Sequence, residues 1–145
     1  MPIEIYRKLR PKDFDQVIGQ DRAVKVLEGF LKKVTIFKDL NRAELAKLAR
    51  IAVREKFSAE RRIFREASRA LGLYIVYRGF VRIVIGDNAG REVMLSMMKR
   101  GDVFGEVALV DGGLRSAGAV TDTAAELIWI RTKDFNRLSH RYPQI

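Results

Sequence analysis

The residues able to do chemistry are concentrated in one stretch, Gly101-Asp102-Val103-Phe104-Gly105-Glu106-Val107-Ala108-Leu109-Val110-Asp111-Gly112-Gly113-Leu114-Arg115-Ser116-Ala117. Gly105 lets a backbone approach a ligand with no Cβ in the way. Val107 to Leu109 can form one helical turn whose free N–H groups point at an anion. Arg115 offers a planar fork of donors matched to two phosphate oxygens, and Ser116 adds a hydroxyl. Glu106, an acceptor only when ionised, suits a sugar hydroxyl and not a phosphate. Gly112-Gly113 reverses the chain between the acid and the arginine. Together these residues suit a small ligand carrying one phosphate and one ribose.

Phe104-Gly105-Glu106-Val107-Ala108-Leu109, followed by Arg115-Ser116-Ala117, resembles the phosphate-binding cassette of cyclic-nucleotide-binding domains, and the resemblance covers about residues 30–143. It implies a mainly β fold with flanking helices, a double-stranded β-helix or jelly roll. It implies Arg115 on the cyclic phosphate, with the backbone N–H groups of Ala108 and Leu109 beside it, and Glu106 and Gly105 at the ribose 2′-hydroxyl. The ligand implied is cAMP or cGMP; the hydroxyl of Ser116 leaves both open, since in the family it can also read the guanine amino group. No other cofactor is implied.

The elements that must position these residues can be read along the chain. Residues 1–21 read as a basic arm, in which Asp13 caps a short turn ended by Gly19. Its Tyr6-Arg7-Lys8-Leu9-Arg10-Pro11-Lys12-Asp13-Phe14 with Val17-Ile18-Gly19-Gln20 resembles the N-terminal segment of clamp-loader ATPases, but no Gly-x-x-x-x-Gly-Lys-Ser/Thr loop follows anywhere, so ATPase function is not implied. Residues 22–145 read as the cyclic-nucleotide-binding-like domain. Asp21 is positioned to cap a helix over about 22–33, with Val24, Leu27, Leu31 and Val34 on one face. Thr35 to Leu40 reads as a turn anchored by Phe37. Asn41 with Glu44 forms a capping-box pattern, opening a helix with Leu45, Leu48, Ala49, Ala52 and Val53 as its stripe.

From Phe57 the period shortens. Arg61–Phe64, Leu73–Val76, Val81–Ile85, Glu92–Met98, Ala117–Val120 and Ala125–Ile130 read as strands, with 86–90 as a turn. Short strands at this spacing indicate a sandwich or barrel. Thr132 to His140 reads as a closing helix with Phe135 and Leu138 facing in. The family usually has more glycine around 66–72; Ala67 and Ala70 tolerate positive φ poorly, which predicts a different or strained turn. Leu114 stands where proline is common. The family also places a lid helix after Pro143, whereas this sequence ends at Ile145. The expectation is that these residues are a fragment or that a partner chain supplies the cover, and that the pocket without its lid binds more weakly and with poorer base selectivity.

At 145 residues the chain is long enough for one domain with a proper core. It has no cysteine, which excludes disulfide and thiolate chemistry and suits a cytoplasmic protein. No apolar run approaches the ~20 residues of a membrane span. Its single histidine, His140, and the lack of any metal-ligand spacing argue against an enzyme. The net charge of +10 attracts polyanions. Three functions remain open: a regulatory domain for a cyclic nucleotide, an interaction module that has lost the ligand, and a basic domain associated with nucleic acid. Direct nucleic-acid binding lacks a recognition helix or stacking motif. A protein partner, an output module elsewhere, or a homodimer would pass the signal on.

Overall fold

The computed structural model describes residues 13–105, 113–131 and 133–134, with side chains from residue 23 onward. Helix α1 (Asp13–Lys32) leads through a 3-10 turn (Thr35–Phe37) to α2 (Arg42–Ile51). Among the described residues eight strands follow: β1 (Val53–Phe57), β2 (Arg62–Phe64), β3 (Gly72–Arg78), β4 (Val81–Gly86), β5 (Glu92–Met98), β6 (Val103–Phe104), β7 (Gly118–Thr121) and β8 (Ala125–Arg131). They form two antiparallel four-stranded sheets, ordered β1-β8-β3-β6 and β2-β7-β4-β5. The architecture is the expected jelly roll with flanking helices.

Strands β3 and β8, at the centre of the first sheet, are buried on both faces and show it in sequence as near-continuous apolar runs. Along β3 and β8, Leu73, Ile75, Tyr77, Ile128 and Ile130 face the helices. There they join Leu27, Phe30, Leu31, Val34, Phe37, Leu45 and Leu48 in one cluster. The alternate residues, Val76, Ala125 and Leu127, face the second sheet and pack with Val81, Phe104 and Ala119. The second core, between the two sheets, is the one that reaches the cassette.

Several sequence expectations hold at the level of single residues. Phe37 is fully buried at the 3-10 turn. Asn41 accepts from the Glu44 N–H at 2.9 Å while the Glu44 carboxylate accepts from the Asn41 N–H at 2.8 Å, completing the capping box.

Others need correction. Gly19 ends no turn and Asp21 caps no helix: α1 runs without a break from Asp13 to Lys32. Its C-terminal half is anchored by Leu27, Phe30 and Leu31. Once a helix is nucleated, each further residue adds a hydrogen bond, which outweighs one interior glycine. Val53 belongs to β1 and not to the stripe of α2, which ends at Ile51. Strand β1 was hidden by its charged Arg54-Glu55-Lys56 core. It lies at the edge of its sheet, where Arg54 reaches across to Glu126 with Nε at 2.8 Å from the carboxylate. Strand β6 is two residues long, too short for any periodicity. Of the closing helix, only Lys133 and Asp134 are described, both helical. Phe135, Leu138, His140 and the arm through Lys12 lie outside the described residues.

Gly29 is an interior residue of α1, and a Cβ built there meets nothing within 4 Å among the described residues. Gly29→Ala is expected to stabilise the fold by about 0.5–1 kcal/mol, the helix-propensity difference between the two residues. A thermal melt reads this as a small rise in midpoint.

Candidate functional site

Arg115 is placed through its backbone first. Its N–H donates to the Ser68 carbonyl and its own carbonyl accepts from the Ala67 N–H, both at 2.8 Å. Leu114 and Arg69 extend this contact as an isolated antiparallel bridge, with the Leu114 side chain in solvent. The turn that grips Arg115 therefore contains Ala67, and Ala67 has φ +65°. The strain expected of this alanine is present, at a residue that holds the arginine in place; Ala70 is not in the left-handed region. A left-handed conformation costs a residue with a Cβ roughly 1–2 kcal/mol. Ala67→Gly relieves that cost but enlarges the unfolded ensemble. The net expectation is a gain of about 0.5–1 kcal/mol, seen as a rise of a few degrees in melting temperature.

The side chain of Arg115 then turns inward and is 5% exposed. Nη1 donates to the Gly105 carbonyl at 2.8 Å and Nη2 to the Gly72 carbonyl at 2.6 Å. The guanidinium carbon stands 4.1 Å from the centroid of the Phe64 ring. A buried cation is costly unless it is hydrogen-bonded or paired; here two carbonyl dipoles and an aromatic face answer it.

Phe64 connects this cation to the core between the sheets. Its ring lies 5.9 Å from Tyr74 and 6.0 Å from Phe104. Tyr74 and Phe104 stack at 5.4 Å with 13° between their planes, and Tyr74 also meets Trp129 at 6.2 Å. The register explains this convergence, since Tyr74 pairs with Phe104 on one side and with Trp129 on the other.

Gly105 and Arg115, ten residues apart, are thus joined directly. Gly105 has φ +87°, and a Cβ there would collide with Nη1 of Arg115. Phe104 is buried, Ser116 is exposed, and Ala117 is half-buried at the entry to β7. Glu106, Val107, Ala108 and Leu109 lie outside the described residues. Among the described residues, no group of His, Cys, Asp or Glu side chains is arranged to hold a metal ion.

Sequence reasoning missed three members of the site: Phe64, the Gly72 carbonyl, and the grip of Ala67 and Ser68 on the backbone. Gly72 carried a usable signal. A lone glycine opening an apolar strand marks a close approach of another group.

Carboxylates around the second sheet are engaged by other arginines. Glu92 takes a two-pronged pair of hydrogen bonds from Arg62, at 2.8 and 2.9 Å, tying β5 to β2. Those bonds hold the Glu92 carboxyl below the usual carboxylate range. Arg82 likewise bonds Glu60 and Asp122, and its hydrogen bonds lower the Glu60 carboxyl in the same way.

Comparisons with known proteins bear on the family and the fold. The family model described as cyclic nucleotide-binding domain matches residues 54–142. A cGMP-dependent protein kinase of Drosophila melanogaster, isozyme 2 forms cD5/T2, is 32% identical over 123 residues, covering 78% of this chain and 13% of the kinase. The cAMP-activated global transcriptional regulator CRP of Salmonella typhimurium is 33% identical over 91 residues, covering 62% of this chain and 43% of the regulator. The crystal structure of the Thermus thermophilus catabolite activator protein superposes with a TM-score of 0.69 at 30% identity, covering 75% of this chain and 51% of that one. This chain thus spans less than half the length of these two curated relatives. The jelly roll, the order of the cassette residues and a family match over more than half of the sequence lead to one conclusion: the chain belongs to the cyclic nucleotide-binding domain family.

Proposed function

We propose that this domain binds a cyclic nucleotide, cAMP or cGMP, without turning it over, and that it reports the ligand to a protein partner or an output module. One observation carries the reading. Arg115 is a buried cation held at the Gly105 turn by carbonyls from β3 and from the cassette itself. A guanidinium placed this way is pre-oriented, so little side-chain entropy remains to be lost when an anion arrives.

In this reading Arg115 faces the cyclic phosphate, together with the backbone N–H groups of Ala108 and Leu109. Glu106 and Gly105 take the ribose 2′-hydroxyl. Phe104, Val107 and Ala117 give the cassette its apolar frame. Ser116 is exposed, so its hydroxyl can meet a ligand from the solvent side. One relative is named for cGMP and another for cAMP, and both nucleotides stay within the proposal. No helix among the described residues is long and apolar enough to cross a membrane; a cytoplasmic setting is part of the proposal.

Calorimetric titration of cAMP, cGMP and a DNA duplex, each at low and at high salt, tests it. The expected result is saturable binding of at least one cyclic nucleotide with a modest salt dependence. Failure of both nucleotides would leave an interaction module without a ligand. Binding of DNA alone, falling steeply with salt, would replace the proposal with a nucleic-acid function.

A further inference from the structure

Helix α1 packs one face into the helix–sheet core and leaves the rest open. Two depressions flank it. One, of about 550 Å³, lies between α1 and the end of the first sheet, walled by Val26, Phe30, Val34 and Tyr77. The other, of about 930 Å³, lies between α1 and α2, with Leu40, Leu45, Ala43 and Ala46 along it. Gly29 lines both. It forms a saddle where the two hollows meet over bare backbone.

Two further observations identify what fits. The first is steric. Glycine is the least favourable residue in a helix interior apart from proline, and no packing among the described residues requires it at position 29, where a Cβ would meet none of their atoms within 4 Å. Its smallness faces outward, toward something that must come close. Val26, one turn before it, leaves 54% of its surface in water.

The second observation is electrostatic. Among the described residues, the rims carry Lys25, Lys32, Lys33, Arg42 and Arg100, all exposed, against one carboxylate, that of Glu28. Among the described residues, no carboxylate pairs with Lys25, Lys32, Lys33 or Arg42. Arg100 is held in place by stacking 4.8 Å from the Phe30 centroid and 4.7 Å from that of Tyr77, with Nη1 donating to the Tyr77 carbonyl at 2.6 Å.

We propose that this saddle is a docking surface for an acidic amphipathic helix of a partner protein, which crosses α1 at Gly29. Its apolar stripe enters the two depressions and its flanking carboxylates meet the lysine and arginine rims. Helices pack at about 8–10 Å between axes, and the closest approaches need a small residue at the crossing. An apolar trough between charged rims is how a groove reads an amphipathic helix. The apolar walls separate this partner from a nucleic acid, which would need only the cations.

The test uses two synthetic helical peptides of the same Leu/Ala stripe, one flanked by glutamates and the other by lysines. They are titrated into isotope-labelled protein alongside a DNA duplex and phosphatidylglycerol vesicles. The expected result is that the acidic peptide shifts the amide resonances of residues 25–33 and binds at least about tenfold more tightly than the basic one. Gly29→Met is expected to melt no lower than the parent protein and to bind the acidic peptide about tenfold more weakly. Lys25→Glu combined with Lys32→Glu is expected to weaken it as well, through exposed residues that the fold does not need. The proposal is overturned if the acidic peptide leaves α1 unshifted, or if Gly29→Met binds it as well as the parent. It is equally overturned if duplex or vesicles, and not the peptide, produce the shifts that depend on Gly29.

Discussion

Arg115→Ala is expected to weaken cyclic-nucleotide binding by about 2–5 kcal/mol, the usual cost of removing one partner from a desolvated charge pair. In affinity this is roughly thirtyfold to several thousandfold. The size follows from burial. At 5% exposure the guanidinium is shielded from the water and salt that make surface ion pairs nearly worthless. The substitution also removes the donors that serve the Gly72 and Gly105 carbonyls. A buried acceptor left without its donor costs about 1–3 kcal/mol, so the variant should melt at lower temperature even without ligand.

The two effects can be separated. Arg115→Lys keeps the charge but puts a single ammonium where two nitrogens now reach two carbonyls in different elements. It should recover part of the ligand affinity and little of the lost stability. Isothermal titration, run well below the melting point of each variant, reads the first quantity, and calorimetric melting reads the second. An Arg115→Ala protein that is folded and binds with parental affinity would remove Arg115 from the phosphate site.

How much of this arrangement was legible beforehand depends on the range of the interaction. Local chemistry was readable. Asn41 and Glu44 lie three residues apart, and their capping box follows from that spacing alone. The five-residue turn before Arg91 and the bounds of β5 are also local, set by glycine, Asn and Asp propensities followed by an apolar run. Gly105 and Arg115, joined by a hydrogen bond, are only ten residues apart and so fall within one short stretch of sequence.

What escaped was long-range. Gly72 is 43 residues from the arginine it accepts from, and no period links them. Phe64 sits on a strand of three residues, where alternation cannot assign a side. Helix α1 escaped for a different reason. Gly19 carries a true local signal to stop, and the tertiary anchoring of Leu27, Phe30 and Leu31 overrides it. Nothing local to Arg100 signals its place either; packing sets its guanidinium against two rings of the helix–sheet interface.

Gly72 is where fold and site depend on the same atoms, which makes Gly72→Ala the most demanding test of the architecture. A Cβ at this position would lie 2.5 Å from Nε1 of Trp129 and 2.6 Å from the Ile130 carbonyl. Neither neighbour can yield cheaply. Trp129 is 2% exposed, and the Ile130 carbonyl belongs to the backbone of β8, whose six residues Ala125–Ile130 are all buried. The added methyl must therefore push β3 away from β8, at the register pairs Gly72↔Arg131 and Leu73↔Ile130. Overpacking of this kind costs about 1–3 kcal/mol, or a melting point lower by roughly 3–10 °C in a domain of this size. Because the Gly72 carbonyl accepts from Nη2 of Arg115, the same displacement loosens the arginine and should weaken nucleotide binding beyond the loss of stability. Trp129 is the only tryptophan in the chain, so its emission reports the disturbance without a label. A shifted emission maximum, a lower melting point and weaker binding are expected together. Parental emission and stability in Gly72→Ala would mean that β3 and β8 do not approach each other as closely as the fold requires, and the placement of Arg115 would lose its support from β3.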